Sequence, residues 1–184
     1  MKTALILIVW TIGFTATAVE PMPLKNDSST KWGWIAFGHG VEDSGVNASE
    51  DFFWVSVNWP KSTWGNGIYF KGEGPINVTP FKKISVKVSS QQPSKTKIQI
   101  EFLTADNAVL GTDPGNLFSL KDGEETLIEA DISQMVPIQA EQEQRAFMPD
   151  EDMKKIDRVQ IIFIKPEGEE MKNVLKFKDM KLLP

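Results

Sequence analysis

Ile84-Ser85-Val86-Lys87-Val88-Ser89 and Lys97-Ile98-Gln99-Ile100-Glu101-Phe102 alternate apolar and polar residues without a break. Successive side chains of a strand point to opposite faces, so Ile84, Val86, Val88, Ile98, Ile100 and Phe102 face a core while their neighbours face water. Residues 89–95 between them hold Pro93 and a polar cluster. That composition predicts a connection between antiparallel neighbours.

The same rhythm continues outward. It predicts a later pair of strands over 126–132 and 158–165. In the second of these Val159, Ile161 and Phe163 share one face and Ile162 and Ile164 the other, so the strand is expected at the centre of its sheet. In the last strand, 174–183, Leu175 and Phe177 are in phase and Met180 and Leu182 are shifted by one, which predicts a β-bulge near Lys178-Asp179. Helix is expected only within 140–155, where Pro149 interrupts it and Asp150 can cap a short turn ending near Lys155. Eight or nine strands with turns between them predict an all-β fold, a single antiparallel β-sandwich or jelly roll.

Residues 1–18 read as a signal peptide: Lys2, an uncharged apolar run over 4–14, then Ala16-Thr17-Ala18 as a cleavage pattern. The run is shorter than the roughly 20 residues of a permanent membrane span. Residues 19–30 are expected to be a mobile tether and 31–184 the sandwich domain. The chain has no cysteine. Disulfides, a thiolate nucleophile and Cys-ligated zinc are thereby excluded, and a secreted or periplasmic setting in a bacterium fits. The formal net charge of -5 becomes -6 once the +1 of Lys2 is removed, which offers nothing to nucleic acid, and no amphipathic membrane helix is present. Asn26, Asn47 and Asn77 begin glycosylation sequons that matter only in a eukaryotic source.

Over 68–184 the order of segments resembles the jelly-roll carbohydrate-binding modules and, more broadly, the galactose-binding-like sandwiches. The likeness is carried by Pro80-Phe81-Lys82-Lys83-Ile84, by Asp131-Ile132-Ser133, by Ile156-Asp157-Arg158-Val159 and by Leu175-Lys176-Phe177-Lys178-Asp179-Met180. It implies a structural calcium ion held by an acid near the closing bulge, Asp179 here. Its companions would come from Glu42, Asp43, Glu50 and Asp51 near the first strand.

Ten aromatic residues fall within 32–70, including Trp32, Trp34, Trp54, Trp59 and Trp64. Sugar rings present C–H faces that stack on aromatic planes, and their hydroxyls need amide or charged partners. Large aromatics are mostly core residues. Alternation assigns Phe53, Val55, Val57 and Trp59 to the core and leaves Trp54 and Asn58 on a wetter face, while Trp64 sits in a Gly- and Asn-flanked loop. Trp54, Asn58, Trp64, Lys87, Gln99, Glu101 and Gln160 are therefore the candidate ligand-binding residues. They point to a non-catalytic binder of oligo- or polysaccharide. The alternatives are an interaction sandwich with an envelope-protein partner and a small glycan-active enzyme, for which Glu101 is the first acid to test. His39 is the sole histidine and no Gly-x-Ser-x-Gly elbow exists, which argues against a hydrolytic triad.

Overall fold

The computed structural model of the chain describes residues 18–27, 32–63, 65–106, 108–122, 124–138 and 150–184. The expected signal peptide lies outside them except for Ala18. Among the described residues no helix is long and apolar enough to cross a membrane.

Two antiparallel sheets face each other. Sheet I runs in the order β10 (Thr126–Asp131), β6 (Lys83–Ser90), β13 (Met171–Leu183), β4 (Phe52–Trp59) and β3 (Val41–Asn47), with the short β1 (Met22–Pro23) beside the end of β13. Sheet II runs β11 (Val136–Pro137), β8 (Val109–Gly111), β7 (Lys97–Thr104), β12 (Ile156–Ile164), β5 (Gly65–Lys71) and β2 (Gly33–Phe37), with β9 (Phe118–Ser119) also on β7. The short strands β1, β8, β9 and β11 raise the count above the eight or nine expected. One helical turn, α1 (Asp150–Met153), precedes β12.

The two-residue rhythm builds the core. Val55, Val57, Trp59, Val86, Val88, Leu175 and Phe177 of sheet I meet Ile68, Phe70, Ile98, Ile100, Phe102, Ile161 and Phe163 of sheet II, all of them buried. β12 is central, as its two apolar faces require. The bulge is also present. The β13–β6 register shifts between Lys178 and Lys181, and Asp179 takes φ 50° there, after which Met180 and Leu182 face the core.

Two expectations are corrected. β6 and β7 are not neighbours, because the link between them crosses from sheet I to sheet II through a 3-10 turn at Pro93–Lys95. β10 and β12 likewise lie in different sheets. The ordered fold also starts before Lys31. Leu24 is buried, its N–H donates to the Met180 carbonyl (2.7 Å), and its carbonyl accepts from Trp34 Nε1 (2.7 Å). Pairing through backbone groups leaves no apolar period, so this strap cannot be seen in the pattern.

Candidate functional site

Sheet II turns one face to the core; on the other, Ile35 is exposed and Phe37, Tyr69 and Gln160 are partly so, while Gln99, Glu101 and Ile162 are buried. Register places Ile35, Tyr69, Gln160, Glu101 and Gly111 side by side across five strands of the outer face. Adjacent strands lie about 4.8 Å apart, so the row is about 19 Å long. A second row holds Phe37, Gly67, Ile162 and Gln99.

Alternation puts Tyr69 outward because Ile68 and Phe70 on either side of it are buried. Its ring lies 5.7 Å from that of Phe37, tilted by 47°. The Arg158 guanidinium stands 5.7 Å over the Tyr69 ring. Phe37 reaches this position because Gly67 has no side chain: a Cβ there would lie 2.5 Å from Phe37 Cζ. Gly111 clears the other end of the row, where a Cβ would meet Glu101 Cγ at 2.9 Å.

Gln160 Nε2 donates to Glu101 Oε2, and Gln99 Nε2 donates to the Thr112 carbonyl (3.0 Å). Glu101 is only 6% exposed although it belongs to the outward set. Burial pushes its carboxyl above the usual carboxylate range, and the Gln160 hydrogen bond acts in the opposite direction. A carboxyl whose pKa is raised on folding adds stability below its unfolded value of about 4.3, and that gain is lost as pH rises through the folded value. Glu101→Gln keeps an acceptor for Gln160 and removes the charge. Thermal melts across pH are expected to show the variant more stable than the parent at pH 7, with the difference closing below about pH 4.

The site residues expected from sequence divide between opposite faces. Gln99, Glu101 and Gln160 come together on sheet II. Trp54, Asn58 and Lys87 lie on the outer face of sheet I, where Trp54 pairs in register with Lys176 and Asn58 with Lys172. Trp64 lies outside the described residues. Tyr69, Phe37 and Arg158 were missed as site residues, though the Ile68-Tyr69-Phe70 alternation carried the signal for Tyr69.

The acids expected to hold calcium have other partners or stand exposed. Asp179 pairs with Lys87 at 2.7 Å, which holds its carboxyl below the ordinary range, helped by Lys181 and Lys25. Asp43 accepts from the Ser44 N–H, and Glu42 is exposed on β3. Among the described residues no three His, Asp or Glu side chains gather to hold a metal, whereas calcium takes six to eight oxygens. A hollow of about 700 Å³ lies between Val78, Phe81, Leu110, Ile132, Met135 and Met153, and its lining is mainly apolar.

No family model and no curated protein matches the chain. Solved structures do. A family 11 carbohydrate-binding module from Clostridium thermocellum, in complex with a β-1,3-1,4-mixed-linked tetrasaccharide, matches with a TM-score of 0.54 at 13% identity, over 90% of this chain and 96% of the module. A non-crystalline-cellulose-specific module, CBM28, matches with a TM-score of 0.56 at 11% identity, over 92% and 96%. The agarase AgWH50C matches with a TM-score of 0.58 at 8% identity, and there the chain spans 24% of the enzyme. The chain has the jelly-roll fold of the carbohydrate-binding modules.

Proposed function

We propose that this chain is an exported, non-catalytic carbohydrate-binding protein whose ligand, an oligo- or polysaccharide, lies along the outer face of sheet II. The observation that carries the reading is the row of Tyr69, Gln160 and Glu101, flanked by Phe37 and Arg158. It sets the partly exposed Tyr69 ring beside the Gln160 amide and the Arg158 guanidinium, with Glu101 buried against Gln160, across about 10 Å of the sheet. A stacking ring supplies apolar contact and the polar groups answer hydroxyls.

The fold supports the reading, since two of the matching structures are carbohydrate-binding modules, one of them holding a tetrasaccharide. Export rests on Lys2, the apolar run 4–14 and Ala16-Thr17-Ala18. The acids near this face are engaged by other groups. Glu101 is tied to an amide, and Asp157, near the same face, is held by Lys71 at 2.9 Å, whereas a glycosidase needs two carboxyl groups about 5 to 9.5 Å apart and poised on the bond.

Affinity electrophoresis through gels containing mixed-linkage β-glucan, hydroxyethylcellulose or agarose tests this. The chain is expected to be retarded by at least one of them, and Tyr69→Ala to weaken that binding by about tenfold, as for a central aromatic anchor. Retardation by none of them, or an unchanged Tyr69→Ala, would sink the proposal. Reducing ends released from the bound polymer would move the chain to the enzymes.

A further inference from the structure

The outer face of sheet I carries a second arrangement of a ring with charges. Trp54 lies flat on the sheet: a Cβ at Gly45, its register partner on β3, would meet indole Nε1, Cε2 and Cζ2 at 3.2, 3.4 and 3.5 Å. One side of the ring is therefore packed on Gly45 and the ring is only half-buried. On its other flank β13 presents Lys172, Lys176 and Lys178, all on the outward side of the strand. Lys176, the register partner of Trp54, and Lys178, that of Phe52, have their ammonium groups 4.9 and 5.5 Å from the Phe52 ring.

Charge makes this face unusual in a chain of net charge -5. Lys87 is matched by Asp179 and Glu125, Lys83 by Glu129 and Lys25 by Asp51, whereas Lys181, past the bulge, has no ion pair within 4.0 Å among the described residues. Lys172, Lys176 and Lys178 have no carboxylate within 4.0 Å among the described residues. Three unmatched ammonium groups on one strand face raise the local potential and call for an anion.

We propose that the outer face of sheet I is a second glycan site, selective for an anionic polysaccharide, with Trp54 as the stacking platform and Lys176 and Lys178 as the carboxylate- or sulfate-binding groups. Lys172 and Asn58, cross-strand partners in register, extend the site toward the far end of β4. Ammonium groups form the stronger charge-assisted hydrogen bonds with anionic oxygens, while Asn58 and Ser56 offer neutral partners to hydroxyls. This site does not depend on the row across sheet II. A chain with both would join a neutral and an acidic polymer, one on each face.

Affinity electrophoresis with polygalacturonate and dextran sulfate decides the matter. The parent is expected to be retarded by at least one of them, and a Lys176→Gln/Lys178→Gln double variant to bind about tenfold more weakly, the loss of one charge-assisted hydrogen bond or more. Trp54→Ala should weaken binding as well, and Tyr69→Ala should leave it unchanged. Salt at about 0.5 M should reduce retardation, because exposed charges are then screened within a few ångströms. Lys176 is exposed and Lys178 partly so, and both lie over the Phe52 ring, so the double variant is expected to melt at or slightly below the parent. Retardation by neither polymer, or an unchanged double variant, overturns the proposal. Equal retention on single-stranded DNA with no effect of Trp54→Ala also overturns it, since the face would then be a plain polyanion surface.

Discussion

Replacement of Phe163 by alanine is expected to lower the stability of the sandwich by about 4 kcal/mol, the usual cost of removing a buried phenyl ring. Phe163 lies on the inner face of β12 and is fully buried. Its ring meets Trp59 of β4 at 5.9 Å and Phe177 of β13 at 6.0 Å, both from the opposite sheet. The three rings clamp the sheets together, and truncation leaves a cavity that the stiff strands on either side cannot close. Urea unfolding measures the loss, and the melting temperature should fall by roughly 8 to 16 °C for a chain of this size. The effect reaches the proposed glycan site through β12, which carries Arg158 and Gln160 on its other face. A loss below about 1 kcal/mol would mean that the sheets repack, and the three-ring clamp would be refuted.

Phe163 was legible as a core residue because alternation decides which way a side chain points. Alternation does not decide which strand lies alongside. The period of two in β6 and β7 is equally good whether they pair or face each other, so the sequence supported a hairpin where the chain crosses between sheets. The candidate site residues divide between two faces for the same reason. Lys87 on β6 and Gln99 on β7 both read as outward and polar, and outward means opposite sides of the molecule when the strands belong to different sheets. Tyr69 was visible as an outward residue between two core residues, but its partners were not. Phe37, Arg158 and Gln160 come to it from two other strands, and only strand order brings them there. The bulge at Asp179 was readable because it breaks a rhythm within one strand. The strap at Leu24 was not, since it is fixed mainly by backbone hydrogen bonds.

One buried side chain, Asn173, gathers much of the bonding at the crossing, and removing it is expected to cost about 3 kcal/mol, several buried hydrogen bonds at about 1 kcal/mol each. The inward row of β13 reads Met171, Asn173, Leu175 and Phe177, and an amide in that row is out of place unless it is fully bonded. Asn173 is 2% exposed. Its Oδ1 accepts from Ser90 Oγ (3.1 Å), the Gln91 N–H (3.1 Å) and the Gln92 N–H (3.2 Å), and its Nδ2 donates to Ser90 Oγ and Thr96 Oγ1, each at 2.9 Å. These partners span the end of β6 and the turn that delivers the chain to β7. Asn173 thus holds the place where the backbone leaves one sheet for the other, and with it the start of the strand bearing Gln99 and Glu101. Asn173→Ala strips the turn of this anchor. Asn173→Leu restores the volume but not the bonds, so it should be no more stable than the alanine variant if hydrogen bonding is the cause. Urea unfolding of both variants, with hydrogen exchange at the Gln91 and Gln92 amides, separates the two explanations. Recovery of stability in the leucine variant would show that packing, and not the amide network, secures the crossover.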